Sequence, residues 1–278
     1  MAGGATPHSV GTGFFYKVAH PSTDAVKILV VTNKHVIRGA DEIRFVVSSA
    51  LEIDLLNEFH QPQGRSDHVV VVPLQDRFYA HPSSQIDLCA IDVTLPLGAL
   101  FTAKQQVRAM FLDCTWLPEN EDRALIRDIE QVLVIGYPSA LWDSFNNMPI
   151  ARVGSTATHP LAQYQGNRDF LIDVAAFPGS SGSPVFTYEA PMFRQGNGVY
   201  APGVKVQFIG VVWGVVEEDV TGDLRSVEIP SAFKDVPVVK RSLNLALALH
   251  SDLMLDIDEL VVPGVRKLRA ATRSAQVP

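Results

Sequence analysis

The chain has 278 residues and a formal net charge of −7, a balance that disfavours nucleic-acid binding through overall charge. Apolar residues make up 47% and charged residues 19%, enough for a substantial buried core. Eighteen prolines, nineteen glycines and many short Val/Ile runs favour β structure over a helical bundle, and no apolar run reaches the ~18 residues of a membrane span.

Met1 to Val10 has no charged leader region and no apolar stretch after one, so no signal peptide and a cytoplasmic location are expected. Two cysteines, Cys89 and Cys114, do not suggest a disulfide framework. No Cys/His spacing suits zinc, and neither a metal nor a cofactor is expected.

In chain order, Gly11 to Val18 and Lys27 to Thr32 read as two strands of a hairpin joined by the polar turn Ala19 to Asp24. His35 follows directly, where a buried strand ends. Taken alone it suits a hydrogen-bonded structural histidine. Glu42 to Val47 is a further strand, and Ser48 to His68 is a polar, irregular excursion. His68 to Leu74 reads as a strand, with Val69 to Val72 fully buried. Asp87 then opens an apolar segment between Ile86 and Leu88, where a carboxylate is costly without a partner. A turn aspartate before a strand fits it equally, and Asp92, farther along, is the weaker candidate. Cys89 reads as a small core residue.

Thr94 to Glu130 changes character and reads as a connector with surface loops. A second block of strands follows, at Gln131 to Pro138, Ile150 to Gly154, Phe170 to Val174, Val185 to Tyr188 and Val204 to Val216. From Ser242, residues Leu243, Leu245, Ala246, Leu249, Leu253 and Leu255 give a helical stripe. Arg266, Lys267, Arg269 and Arg273 then mark a basic, frayed tail.

The run Gly179-Ser180-Ser181-Gly182-Ser183-Pro184 suits a nucleophilic serine on a tight loop, although a Ser/Gly-rich hairpin would look similar. A serine hydroxyl needs a base to take its proton, and the base needs a carboxylate to fix its tautomer. His35, Asp87 and Ser181 supply one residue of each kind in a suitable local setting.

Taken together, Thr32-Asn33-Lys34-His35-Val36, Asp87-Leu88-Cys89-Ala90-Ile91 and the serine loop resemble the three motifs of trypsin/chymotrypsin-like serine peptidases, in the same chain order. The likeness is nearest to bacterial members. Asp173 to Pro184 resembles the serine region of HtrA-type proteases. Ser181 to Phe186, with Ile209-Gly210 and Trp213-Gly214, resembles glutamyl endopeptidases. Ile135 to Ser139 with Asn147 to Ile150 resembles a group of uncharacterised bacterial trypsin-like peptidases.

The resemblance implies an all-β fold, with two six-stranded antiparallel β-barrels of the chymotrypsin type and a C-terminal helix. The expected parts are an N-terminal barrel over 1–95, a connector over 96–130, a second barrel over 131–240, a helix over 241–262 and a basic tail over 263–278, together one peptidase domain. It implies a serine endopeptidase acting on protein or peptide substrates through an acyl-enzyme, with no nucleic-acid or membrane partner. Catalysis falls to His35, Asp87 and Ser181, and the oxyanion hole to the N–H groups of Gly179 and Ser181. Val212, Trp213 and Gly214 would pair with the substrate backbone, and Ala175, Ala176 and Val212 would wall a pocket for small or medium apolar side chains. Ser180 stands where zymogen-activated relatives keep an aspartate that pairs with a newly cut N-terminus, so activity is expected without such a cut. A non-catalytic or partner-gated peptide-binding module on the same fold is the alternative.

Overall fold

The computed structural model describes residues 9–20, 22–50, 56–58, 61, 64–102, 106–218, 224–228 and 241–266. Among the described residues, the first half of the chain builds β1 (Phe14–Ala19), β2 (Val26–Thr32), β3 (Glu42–Ala50), β4 (Ser66–Pro73), β5 (Phe78–Ala80), β6 (Cys89–Asp92), β7 (Gln106–Val107) and β8 (Phe111–Leu112). Helix α1 (Thr94–Thr102) lies between β6 and β7, and a short α2 (Asn120–Arg123) follows β8. The second half builds β9 (Gln131–Gly136), β10 (Ile150–Thr156), β11 (Asp169–Asp173), β12 (Pro184–Glu189), the small hairpin β13 (Met192–Arg194) and β14 (Tyr200–Pro202), β15 (Lys205–Glu218), β16 (Leu224–Glu228) and β17 (Arg241–His250). Helix α3 (Met254–Val261) follows β17.

The second half closes on itself. Strands run β12-β9-β10-β11-β17-β15, and β15 pairs back onto β12, giving a closed six-stranded barrel in which every pairing is antiparallel. Closure leaves no free edge among these six strands. Inside it pack Val132, Val134, Phe170, Ile172, Val185, Ile209, Val212, Ala246 and Ala248. The first half, among the described residues, forms a five-stranded sheet (β5-β6-β2-β1-β8, with β1 and β8 parallel) and a three-stranded sheet (β4-β3-β7). Phe15, Val47, Val70, Val72, Cys89 and Ile91 pack between them. A third cluster joins the halves: Tyr16, Leu29, Val31 and Leu88 meet Phe186, Phe208, Val211 and Leu249, and Leu253, Met254 and Ile257 of α3 close it.

Three expectations need correction. The stripe from Ser242 is not one helix, because Arg241–His250 is strand β17 and the helix spans Met254–Val261. Ala246 and Ala248 face the barrel interior while Leu247 and Leu249 pack on other clusters, so both faces of β17 are apolar and its two-residue period is masked. The run Val69 to Val72 is not buried throughout. Val70 and Val72 are buried, whereas Val69 is 70% and Val71 43% exposed, because one face of β4 meets solvent. The connector is more than loops: it holds α1, and β7 and β8 extend the two N-terminal sheets by pairing with β3 and β1.

The excursion from Ser48 lies only partly within the described residues, and the basic tail beyond Arg266 lies outside them. Among the described residues, no helix is long and apolar enough to cross a membrane, and no group of His, Cys, Asp and Glu could hold a metal ion.

Candidate active site

His35 opens a single helical turn just past the end of β2, at the seam between the two halves, and is almost wholly buried. Asp87 precedes β6, which pairs with β2, so the two loops emerge side by side. Side chains tie them together. Asn33 donates from Nδ2 to the Asp87 carbonyl at 2.6 Å, and Lys34 donates from Nζ to the carbonyls of His81 and Ser83, each at 2.8 Å.

Both carboxylate oxygens of Asp87 serve His35. Oδ1 accepts its backbone N–H at 3.1 Å, and Oδ2 pairs with Nδ1 of the ring. A proton held on Nδ1 leaves Nε2 as the acceptor. Nε2 lies 2.9 Å from Oγ of Ser181.

Asp92 is engaged elsewhere. Lys27 donates to its Oδ2 at 2.6 Å and the Thr94 N–H to its Oδ1 at 2.9 Å. Burial pushes this carboxyl up, but Lys27 and Thr94 outweigh it and hold it below the usual range. Cys89 is an inert core thiol, its pKa pushed far up by burial.

The serine loop is shaped by backbone. Gly182 sits at φ +87°, and a Cβ there would lie 2.0 Å from the Thr12 carbonyl oxygen, so only glycine fits. Gly179 sits at φ +90°, with the Tyr137 carbonyl oxygen 2.5 Å from where a Cβ would be. The Gly182 N–H donates to the Val212 carbonyl at 2.8 Å and the Val212 N–H to the Ser183 carbonyl at 2.9 Å, which anchors the loop on β15. The Ser180 N–H donates to the Phe177 carbonyl at 2.9 Å, and Oγ of Ser180 accepts the Phe177 N–H at 3.2 Å.

Thr12 ties this loop to the other half of the molecule. Its N–H donates to the Ser181 carbonyl at 2.9 Å, and its hydroxyl donates to the Gly179 carbonyl at 2.8 Å. The same hydroxyl oxygen accepts the Tyr137 N–H at 2.9 Å, and its carbonyl accepts from Thr32 Oγ1 at 2.7 Å. Thr32 ends β2, three residues before His35, so one buried threonine links the nucleophile loop to the strand that presents the base. In the sequence it is only a small residue between two glycines.

Of the remaining expected residues, Val212 is hydrogen-bonded to the serine loop, and Trp213 and Gly214 follow it along β15. Trp213 falls in a register shift where β15 pairs with β17 through Val212 and Gly214. Beside Trp213 lies Asp169, a buried carboxyl that desolvation raises to about 6 against a smaller opposing effect of the indole. Ala175, Ala176 and Val212 line a small cavity together with Ser180, Ser183, Val174 and Ala246. Arg152, which in the sequence is one more residue of a short strand, lines the same cavity.

Residues 11–190 match the family model of the trypsin-like peptidase domain. The chain belongs to this family. No curated protein matches it. In this trypsin-like peptidase the matched stretch contains His35, Asp87 and Ser181, and the three meet as carboxylate, base and nucleophile at hydrogen-bonding distance. That arrangement supports a serine-peptidase mechanism and an active endopeptidase.

Proposed function

We propose that the peptidase opens internal bonds of extended protein or peptide chains through an acyl-enzyme. The observation that carries this is His35, held by Asp87 through Nδ1 and facing Ser181 through Nε2. Ser181 Oγ attacks the scissile carbonyl carbon while its proton passes to Nε2 of His35. Asp87 stabilises the imidazolium. The tetrahedral intermediate collapses, His35 gives the proton to the leaving amine, and the C–N bond breaks. Water then attacks the ester by the same proton path and frees Ser181.

The oxyanion would lie against the N–H groups of Gly179 and Ser181. In a trans peptide the C=O and N–H point opposite ways. The Pro178 carbonyl accepts from the Ser139 N–H at 2.5 Å and the Ser180 carbonyl from the Ser183 N–H at 3.1 Å. Both following N–H groups, of Gly179 and Ser181, are thereby turned away from these partners, and neither donates to a backbone carbonyl among the described residues. This supports a preformed hole. Val212, Trp213 and Gly214 would receive the substrate backbone as an added strand, with Ala175, Ala176 and Val212 as pocket walls.

We read the bacterial HtrA-type and glutamyl-endopeptidase groups as the nearest relatives, and the two N-terminal sheets as the counterpart of the second barrel. Domain limits near residues 95 and 130 follow from that reading. Ser180 secures the Phe177–Ser180 turn by its own hydrogen bonds, which supports activity without a cut N-terminus.

Incubating the full chain with an unfolded protein substrate tests the proposal, with the mass of the enzyme recorded before and after. Cleavage at internal bonds by uncut enzyme, lost in Ser181→Ala, is expected. Activity that appears only after an N-terminal peptide is removed would contradict the last point. Trimming from chain ends alone would contradict the endopeptidase reading.

A further inference from the structure

The loop that carries Asp87 is also gripped by the C-terminal helix. Ile86 and Leu88, which flank Asp87, pack in one cluster with Met254 and Ile257 of α3. Beside this apolar contact stands a polar one. His81 follows β5 and opens the loop that leads to Asp87. Its ring is buried, and Nε2 lies 3.1 Å from Oδ2 of Asp256 on α3. Nδ1 of the same ring accepts the Ser83 N–H at 3.2 Å, so it carries no proton. The ring is therefore neutral, and Nε2 donates to Asp256. Burial pushes the Asp256 carboxyl up, but His81 and Arg266 outweigh it and hold it below the usual range, so it accepts as a carboxylate. The turn that this ring orders also serves the base. The carbonyls of His81 and Ser83 each accept from Nζ of Lys34 at 2.8 Å, and Lys34 precedes His35. The Ser83 carbonyl further accepts the N–H of Ile86, the residue before Asp87, at 3.3 Å.

We propose that Asp256 and His81 are positioning residues for the triad. Through them α3 holds the turn from His81 to Ser83, and that turn sets Asp87 and Lys34, and with them His35, against Ser181. This rests on the peptidase reading above. Asp256 has other partners: Arg168, which precedes β11, at 3.4 Å, and Arg266, beyond the helix, at 2.6 Å. Arg168 also pairs with Asp252 at 3.0 Å. These contacts fix the helix against the barrel and its own C-terminal end, whereas the His81 contact passes on to the catalytic loops. Without Asp256, the Nε2–H of His81 is a buried donor with no acceptor. The ring relieves that cost by moving, and it takes with it the N–H of Ser83 and the two carbonyls that hold Lys34. The half of the molecule that carries the nucleophile thus lends its C-terminal helix to the half that carries the base and the carboxylate.

The test separates the tie to α3 from the local turn. For each full-chain variant, kcat and KM are measured on one fluorogenic peptide, beside the rate of fluorophosphonate labelling and Tm. His81→Asn keeps an acceptor for the Ser83 N–H and loses the reach to Asp256. His81→Gln keeps the reach and loses that acceptor. His81→Asn and Asp256→Ala are each expected to lower kcat and the labelling rate about 10-fold with KM little changed, as a small misplacement of a reacting group does. The double variant should be no worse than either single one, because both remove the same contact. His81→Gln should recover part of the turnover. Arg168→Met removes the other barrel contacts of Asp256 and Asp252, and should leave kcat within about 2-fold while lowering Tm slightly. If Asp256→Ala does not fold, His81→Asn decides alone. Unchanged kcat in His81→Asn, losses that add in the double variant, or an equal loss in Arg168→Met would overturn the proposal, while labelling of wild type at Ser181 still upholds the peptidase reading. Wild type that cuts no peptide and takes no label would overturn both.

Discussion

The nucleophile is held by backbone, the base by side chains. Ser181 sits between two glycines in left-handed backbone, its loop hydrogen-bonded to β15 of a closed barrel and to Thr12. His35 and Asp87 stand on adjacent loops at the ends of neighbouring strands of the five-stranded sheet, joined through Asn33, Lys34 and the Asp87 carboxylate. The serine loop should therefore be sensitive to any added atom and, apart from the Thr12 and Ser180 hydroxyls, tolerant of changes in side-chain chemistry around it. The His/Asp side should be sensitive to the loss of particular polar groups.

The triad sets the upper limit of damage. Ser181→Ala should abolish peptide hydrolysis, and His35→Ala and Asp87→Asn should each lower kcat by about 10³-fold or more, because the three act as a unit. If Asp87→Asn kept near wild-type turnover and Asp92→Asn lost it, the carboxylate would have been misassigned. The comparison is broken most easily at Gly182. Gly182→Ala leaves every catalytic group in place, yet its Cβ would lie 2.0 Å from the Thr12 oxygen. It should cost roughly 10²-fold or more in kcat and lower Tm, since backbone strain of this kind costs about 1–3 kcal/mol and clash adds to it. Near wild-type kinetics in Gly182→Ala would show that the serine loop is not held as described.

Thr12 sharpens the same contrast, because it acts on the nucleophile only through backbone groups. Thr12→Val removes the hydroxyl that serves Gly179 and Tyr137. It should lower kcat about 10-fold with little change in KM, and stability by about 1–3 kcal/mol, as expected when buried groups lose a partner. Thr12→Ser should recover most of the turnover. A loss of stability with unchanged kcat, read from denaturant melts beside the kinetics, would reduce Thr12 to a structural residue.

The smallest effect lies under Trp213. Burial raises the Asp169 carboxyl to about 6, above the ~3.9 of an exposed aspartate. Between those values the folded state holds a proton that the unfolded state has lost, so the group costs stability increasingly as pH rises from about 4 to about 6. Asp169→Asn should therefore gain more Tm over wild type at pH 7 than at pH 4. An equal difference at both pH values would contradict the shift.

The residues legible in the sequence were those whose chemistry is local. The serine loop declares itself through Gly179 and Gly182, and His35 and Asp87 each sit next to a strand whose apolar run is plain. Thr12 was not legible, because it matters only through contacts far away along the chain, with Gly179 among them. The barrel strands were readable from their apolar runs except β17, where burial of both faces hid the alternation. The continuous valines of β4 misled in the opposite sense, since a sheet covered on one side leaves Val69 and Val71 in solvent.

The central claim is that His35 and Asp87 activate Ser181 as a nucleophile, and covalent labelling by a fluorophosphonate, located by peptide mass analysis, tests it most directly. A single adduct on Ser181 is expected, absent in Ser181→Ala and formed far more slowly in His35→Ala and Asp87→Asn. A folded wild-type protein that takes no label, or an adduct that persists in Ser181→Ala, would contradict it.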